Sequence, residues 1–82
     1  MTTNSRKIIA NNIVYFRVKN KWSQDIFAEK LGTSSAYVSE MENEKRNISV
    51  DYIDHIATIF NVEPHELLVP RTKVINRRID RL

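Results

Sequence analysis

The sequence predicts an all-α protein, and three observations support this fold class. The chain contains only one glycine and two prolines among 82 residues, which leaves little material for β-turns. Apolar residues recur at three- and four-residue spacings, the period of an amphipathic helix. The length suffices for one compact core. We therefore expect a single helical domain.

Composition argues against several other classes of protein. The chain has no cysteine, so disulfide frameworks and thiolate metal sites are excluded, and a reducing compartment fits. No run approaches the roughly 20 apolar residues of a membrane span, and the N-terminal segment lacks the apolar stretch of a signal peptide. We expect a cytoplasmic protein without a membrane partner.

Charge is distributed unevenly along the chain. The net charge is only +3, yet residues 1–21 carry five basic side chains and no acidic one. Residues 22–70 carry nine acidic and three basic side chains, and residues 71–82 carry five basic and one acidic. Local positive charge of this kind favours phosphate, although solvated charge on exposed helix faces would give the same composition.

Capping residues divide the first half of the chain into three helices. Gly32 ends the second of them, because glycine adopts the left-handed conformation that closes a helix. The third carries Val38 and Met41 on one face, which we expect to pack in the core. The expected helices run from the cap Ser5 to about Lys19, from the cap Ser23 to Gly32, and from the cap Thr33 or Ser34 to about Asn43.

The second half predicts two more helices. Ser49 caps the fourth, and Asn61 stops it because asparagine tolerates left-handed geometry. A short fifth helix begins at Glu63 or Pro64 and is broken by Pro70. Residues 71–82 form either a short amphipathic helix or a frayed tail, which divides the chain into a domain, 1–70, and a basic amphipathic extension, 71–82. The core positions expected on the fourth helix are Val50, Ile53, Ile56, Ala57 and Phe60.

The run Trp22 to Asn47, WSQDIFAEKLGTSSAYVSEMENEKRN, resembles the Cro/repressor-type (XRE-like) helix-turn-helix family. The resemblance continues through the following helix, which ends in the run Asn61-Val62-Glu63-Pro64. Many separate positions along this stretch match the family pattern together. It implies a five-helix lambda-repressor-like domain in which the second and third helices form the DNA-binding motif. The Arg46-Asn47 pair and the helices after residue 48, here called the late helices, are also similar to those of controller proteins of restriction–modification systems.

The third helix has the two faces that a recognition helix needs. Such a helix requires an apolar back that anchors it and a front of small or polar side chains that can approach base edges. Val38 and Met41 supply the back. The residues on or near the exposed N-terminal side are Ser34, Ser35, Ala36, Ser39 and Glu40.

The resemblance implies contacts with DNA around this helix. Gln24 occupies the place where the second helix touches a phosphate, and Arg46 and Asn47 occupy a loop that grips the backbone. It also implies that Glu42 holds Arg17, whose remaining donors point toward phosphate. The full set of expected DNA-binding residues is Arg17, Ser23, Gln24, Ser34, Ser35, Ala36, Tyr37, Ser39, Glu40, Lys45, Arg46 and Asn47.

The front of the third helix lacks the side chains that recognise bases most strongly. It has no arginine or glutamine for bidentate base contacts, so we expect reliance on methyl contacts, Tyr37 and DNA shape. Tyr37 contacts DNA, packs on the fourth helix, or does both. Glu40 accepts a hydrogen bond from a cytosine amino group, disfavours binding to other DNA sequences, or simply faces solvent.

We expect a homodimer on a pseudo-palindromic operator, because one helix-turn-helix unit makes too few contacts for tight specific binding. The interface is expected on the late helices, where one of Leu67 and Leu68 also belongs to the core of the subunit. The expected interface residues are Ile59, Leu67, Leu68, Val69, Ile75 and Ile79, with Leu82 beside them.

Three functions are compared. The first is a sequence-specific transcriptional regulator, and the similarity to controller proteins implies control of a restriction–modification operon. The second is an antitoxin, which uses the same fold to bind both its operator and a protein toxin. The third, an enzyme, is not expected, nor is a metal or cofactor, because Asp51 with His55 and His65 with Glu66 have no nucleophile or phosphate cradle beside them. Contact with RNA polymerase is left open.

Overall fold

The structure, a computed structural model, describes residues 4–71, and these residues are helical with no strand among them. The predicted all-α class is confirmed. The fifth segment is a 3-10 helix, so the predicted count of five α-helices is not confirmed. The expected helix within 71–82 lies outside the described residues beyond Arg71. The elements are α1 (Ser5–Lys19), α2 (Gln24–Leu31), α3 (Ser35–Glu42), α4 (Val50–Phe60) and the 3-10 helix (Pro64–Leu68).

Serine caps begin three of the four α-helices, as predicted. The hydroxyls of Ser23, Ser34 and Ser49 each accept a hydrogen bond from the backbone N–H three residues later, at 3.0 to 3.1 Å. The predicted cap Ser5 is wrong. The side chain of Asn4 caps α1 by accepting from the N–H of Lys7 at 3.0 Å, so Ser5 already lies in the first helical turn.

Two left-handed residues end α2 and α4. Gly32 has φ +80° and Asn61 has φ +59°. The N–H of Gly32 donates to the Ala28 carbonyl at 2.9 Å, which closes α2 one residue before the turn into α3. Both predicted stops are therefore confirmed.

One hydrophobic core joins all five elements. Ile13, Phe27 and Leu67 are fully buried, and Phe27 stacks on Phe60 with ring centroids 4.7 Å apart. Val50 was expected in the core, but it is 75% exposed because it is the first residue of α4 and lies at the edge of the bundle. No helix among residues 4–71 is long and apolar enough to cross a membrane.

A buried asparagine fastens the end of the described chain to α1. Asn12 has no exposed surface, and its Nδ2 donates to the carbonyls of Leu67 and Val69 at 2.8 and 2.9 Å. Its Oδ1 accepts from Nε of Arg71 at 2.6 Å. Since every polar group of this side chain has a partner, Asn12 fixes where the chain leaves the 3-10 helix.

Candidate nucleic-acid interface

The helix α3 lies with one face against the core and one flank uncovered. Val38 and Met41 are fully buried, as predicted for the apolar back. At the opposite flank, Ser34 and Ala36 are exposed, and Ser35 between them is half-buried. The start of α3 thus presents small side chains, and its first backbone N–H groups add partial positive charge at this end of the helix.

A buried polar cluster joins α1, α2 and α3 beneath this flank. Nε and Nη2 of Arg17 donate to the two carboxylate oxygens of Glu42 at 2.7 and 3.0 Å. Nη1 of Arg17 donates to the Trp22 carbonyl at 3.0 Å, and Nε2 of Gln24 donates to Glu42 at 2.9 Å. One carboxylate at the end of α3 therefore sets the positions of α1 and of the first residue of α2.

The pairing of Arg17 with Glu42 is present as the resemblance implied. The side chain of Arg17 has no accessible surface in this structure, and three of its donors are directed at protein atoms. Gln24 is half-buried and directs its amide at Glu42. Contact of either residue with phosphate stays a prediction. In this structure Arg17 and Gln24, through their hydrogen bonds to Glu42, hold the start of α2 against α3.

The loop after α3 folds back over the helix. Nε of Arg46 donates to Oε1 of Glu40 at 2.7 Å, and the Arg46 guanidinium lies 5.0 Å from the centre of the Tyr37 ring. Tyr37 in turn meets the edge of Tyr52 on α4 at 5.9 Å. The expected packing of Tyr37 on the fourth helix is confirmed. Lys45, Arg46 and Asn47 are all exposed.

Tyr52 carries the ionisable group that α4 adds to this packing. Burial of its phenol, and secondarily the nearby Tyr37 phenol, raise the pKa of Tyr52 above its ordinary value of 10.0. Tyr52 is therefore neutral at physiological pH and packs as an aromatic side chain.

Arg6 is a residue of this region that the sequence analysis missed. Its Nη2 donates to Oδ1 of Asn47, and its Nη1 lies 3.5 Å from the Glu44 carbonyl. Asn47 is thus held from α1, which places a basic side chain beside the loop. The only signal in the sequence was the basic composition of residues 1–21, because 41 residues separate the two partners.

Ser39 is tied to the end of its own helix. The side chain of Asn43 donates to the Ser39 carbonyl at 2.8 Å and lies 3.3 Å from its hydroxyl. The hydroxyl keeps its own proton available for a further acceptor.

The histidine that sequence analysis weighed as an enzymatic group has a structural partner. Nε2 of His55 lies 2.9 Å from the carbonyl of Leu31, the last residue of α2. The ring thereby links α4 to the end of α2. Among residues 4–71, no three histidine, cysteine or acidic side chains are grouped as a metal site would require.

The expected dimer residues fall into three groups. Leu67 is fully buried in the core, so its place at an interface is corrected, and it fills the core position that either Leu67 or Leu68 was expected to take. Leu68 and Val69 are 45% and 39% exposed, and Ile59 is half-buried. Ile75, Ile79 and Leu82 lie outside the described residues.

Two curated relatives are similar to most of this chain. A hypothetical transcription factor of Neisseria meningitidis serogroup B is 33% identical over 78 residues, covering 92% of this chain and 74% of the relative. Control protein C.BamHI of Bacillus amyloliquefaciens is 32% identical over 69 residues, covering 83% of this chain and 85% of the relative.

Two crystal structures have a similar fold. The Neisseria hypothetical transcription factor NHTF matches with a TM-score of 0.78 at 30% identity, covering 96% of this chain and 86% of that one. The restriction–modification controller protein C.AhdI of Aeromonas hydrophila matches with a TM-score of 0.70 at 28% identity, covering 77% and 91%. A family model described as helix-turn-helix matches residues 13–67, which include α2, the turn and α3. The protein therefore belongs to the Cro/repressor-type helix-turn-helix family of DNA-binding regulators.

Proposed function

We propose that the protein is a transcriptional regulator that binds a pseudo-palindromic operator as a homodimer. One observation carries this proposal: α3 is anchored by buried Val38 and Met41, while residues 4–71 leave Ser34 and Ala36 exposed on its flank and Ser35 half-buried. A helix held in this way can enter the major groove without rearrangement of the core.

Base contacts come from the front of α3 in this proposal. Ser35 and Ala36 approach base edges, and the Ala36 methyl group suits the methyl group of thymine. Because small side chains discriminate weakly, sequence-dependent DNA shape supplies part of the specificity. The residues assigned to the base-reading side are Ser34, Ser35, Ala36, Tyr37, Ser39 and Glu40.

Phosphate contacts flank that side. The Ser23 hydroxyl caps only the Ile26 N–H, so the other first backbone N–H groups of α2 suit one phosphate, and the loop supplies charge to another. Arg17 supports Gln24 through Glu42, so its part in binding is first of all to position the start of α2. The residues assigned to the phosphate side are Arg17, Ser23, Gln24, Lys45, Arg46 and Asn47.

The homodimer is proposed on energetic grounds. A single subunit offers one recognition helix, and two half-sites are needed for tight binding at physiological salt. Leu68 and Val69 are exposed apolar side chains at the end of the described chain and Ile59 is half-buried on α4, and we assign these three to self-association. Ile75 and Ile79 of the C-terminal extension are proposed to add to the same interface.

Control of a restriction–modification operon is the specific biological role that we propose. Similarity to C.BamHI and C.AhdI, both described as control or controller proteins, supports this role over that of an antitoxin. Contact with RNA polymerase would follow if the regulator activates transcription.

Selection of bound duplexes from random DNA, followed by titration of the best duplex at several salt concentrations, tests the proposal. We expect an inverted repeat and binding at least about 10³-fold tighter than to unrelated DNA. A scrambled duplex of equal length and base composition is the control. Equal affinity for both duplexes would contradict a sequence-specific regulator, and tight binding by a monomer would contradict the dimer.

A further inference from the structure

Glu40, Arg46 and Tyr37 form a cluster, here called the Arg46 cluster, at the exposed edge of α3. Glu40 accepts from Nε of Arg46 at 2.7 Å, and the guanidinium lies 5.0 Å from the Tyr37 ring centre. Tyr37 is itself fixed against Tyr52 of α4. The side chains of Arg46 and Glu40 are 49% and 42% exposed, so the pair is accessible to a ligand.

The contacts of Arg46 leave its two terminal nitrogens available. The hydrogen bond to Glu40 uses Nε, and the contact with Tyr37 uses a face of the guanidinium plane. Neither Nη1 nor Nη2 has a hydrogen-bond partner among residues 4–71. A guanidinium held at Nε and over an aromatic ring loses less entropy when its terminal nitrogens bind a pair of acceptors.

We propose that Glu40 is a positioning residue that holds Arg46 ready for a bidentate contact with DNA. The inference rests on the proposed function and goes beyond it, because it gives an acidic residue at the reading side a favourable role. The ligand chemistry is a pair of adjacent acceptors, which DNA offers as two phosphate oxygens or as O6 and N7 of guanine. Arg46 lies in the loop that follows α3, whereas α3 itself carries no arginine.

Simple electrostatics predicts the opposite effect of Glu40. A carboxylate near the polyanion repels it, so removal of the charge should strengthen binding and leave the other contacts unchanged. A positioning role predicts that removal weakens binding, because Arg46 must then be ordered at the moment of contact. The sign of the change separates the two mechanisms.

The test compares Glu40→Gln with a matched control, Glu44→Gln. Both substitutions remove one negative charge from the segment that precedes Arg46 in the chain, but the Glu44 carboxylate, unlike that of Glu40, has no partner among residues 4–71. Each change is made in the wild-type chain and in an Arg46→Ala background, and the affinity of the full chain for the selected duplex is measured at several salt concentrations. Thermal unfolding checks that every variant is folded.

In the wild-type background we expect Glu40→Gln to weaken binding by about threefold to tenfold, in the range of couplings between residues in contact. We expect Glu44→Gln to leave affinity unchanged or to raise it. In the Arg46→Ala background, Glu40→Gln should no longer weaken binding. The salt slope of Glu40→Gln should move toward that of Arg46→Ala, which a general structural defect would not produce.

Two results would overturn the inference while leaving the proposed function intact. One is binding by Glu40→Gln as tight as or tighter than wild type, and the other is equal weakening in both Arg46 backgrounds. Failure of the wild-type protein to prefer the selected duplex would instead contradict the proposed function.

Modified duplexes then distinguish the two acceptor sources. Methylphosphonates remove phosphate charge, and 7-deazaguanine removes N7. The effect of Glu40→Gln should disappear on one of these duplexes. Its persistence on both would also overturn the inference.

Discussion

At the scale of single residues, Glu42 determines how the parts of the motif fit together. Its carboxylate accepts from Arg17 and from Gln24, and it is only 6% exposed. Desolvation of a buried ion pair offsets much of its attraction, so this pair contributes more to geometry than to net stability. The free energy of unfolding falls when one partner is removed and the other remains buried and charged.

We predict that Glu42→Gln lowers the free energy of unfolding by about 3 kcal/mol, because the buried guanidinium of Arg17 then loses the charged carboxylate that its Nε and Nη2 both bind. Urea denaturation monitored through Trp22 measures this loss. Gln24→Ala is the control, since it removes one hydrogen bond to the same carboxylate and should cost about 1 kcal/mol. Equal small losses for both variants would show that the pair is not isolated from water.

Substitutions of Ser35 and Arg46 should affect DNA binding in different ways. Ser35→Ala should change preference at one base position of the selected site, because the hydroxyl is proposed to meet a base edge. With phosphate oxygens as its acceptors, Arg46→Ala should weaken binding to all sequences and reduce the salt slope by about 1, whereas a guanine contact would give a loss at one base position. Repeated selection with each variant measures both effects. An unchanged base profile for Ser35→Ala would remove Ser35 from the base-reading set.

At the scale of elements, local chemistry decided how well the sequence predicted the structure. The caps Ser23, Ser34 and Ser49 and the stops Gly32 and Asn61 act within a few residues, so they could be recognised without the fold. The 3-10 geometry of Pro64–Leu68 was not predicted, because a short turn bounded by prolines has the same apolar pattern in either helix type.

Contacts between distant residues were beyond sequence reasoning. Arg6 meets Asn47 across 41 residues, and Asn12 meets Arg71 across 59. The sequence analysis did not single out Asn12, since nothing in a helical period identifies a buried amide. The uncovered flank of α3 followed from periodicity, whereas the pairing of Glu40 with Arg46 did not.

The turn between α2 and α3 gives a prediction at this scale. Gly32→Ala should lower the free energy of unfolding by about 1 kcal/mol, because φ +80° disfavours a residue with a Cβ. An added Cβ meets no atom within 4 Å, so backbone strain is the only cost. Asn61→Gly, at the left-handed end of α4, is the control and should change stability little. Thermal denaturation measures both, and an unaffected Gly32→Ala would contradict the strain argument.

At the scale of the whole molecule, the proposed sequence-specific binding requires two subunits. The basic residues are concentrated in residues 1–21 and 71–82, while the segment that holds α2, α3 and α4 is mainly acidic. Placement of Arg6 beside Asn47 shows how the basic first segment reaches the loop. We therefore expect electrostatic steering toward DNA to come from outside α3, and the proposed dimer to derive its specificity from the geometry of two such helices.

We predict that Leu68→Glu weakens the dimer and, with it, binding to the full operator. A charge in an apolar interface must be desolvated without a partner, which opposes association. Val50→Glu is the control, because Val50 is 75% exposed and lies outside the proposed interface. Sedimentation across a concentration series measures the assembly. A dimer unaffected by Leu68→Glu would move the interface elsewhere.

We propose that the exposed flank of α3 is the surface that meets DNA. Backbone amide shifts, recorded by NMR as the selected duplex is titrated, test it residue by residue. We expect the largest changes at Gln24, at 34–36 and at 45–47, with little change in the 3-10 helix beyond that caused by dimerisation. Large changes confined to Pro64–Leu68, with 34–36 unmoved, would contradict the claim.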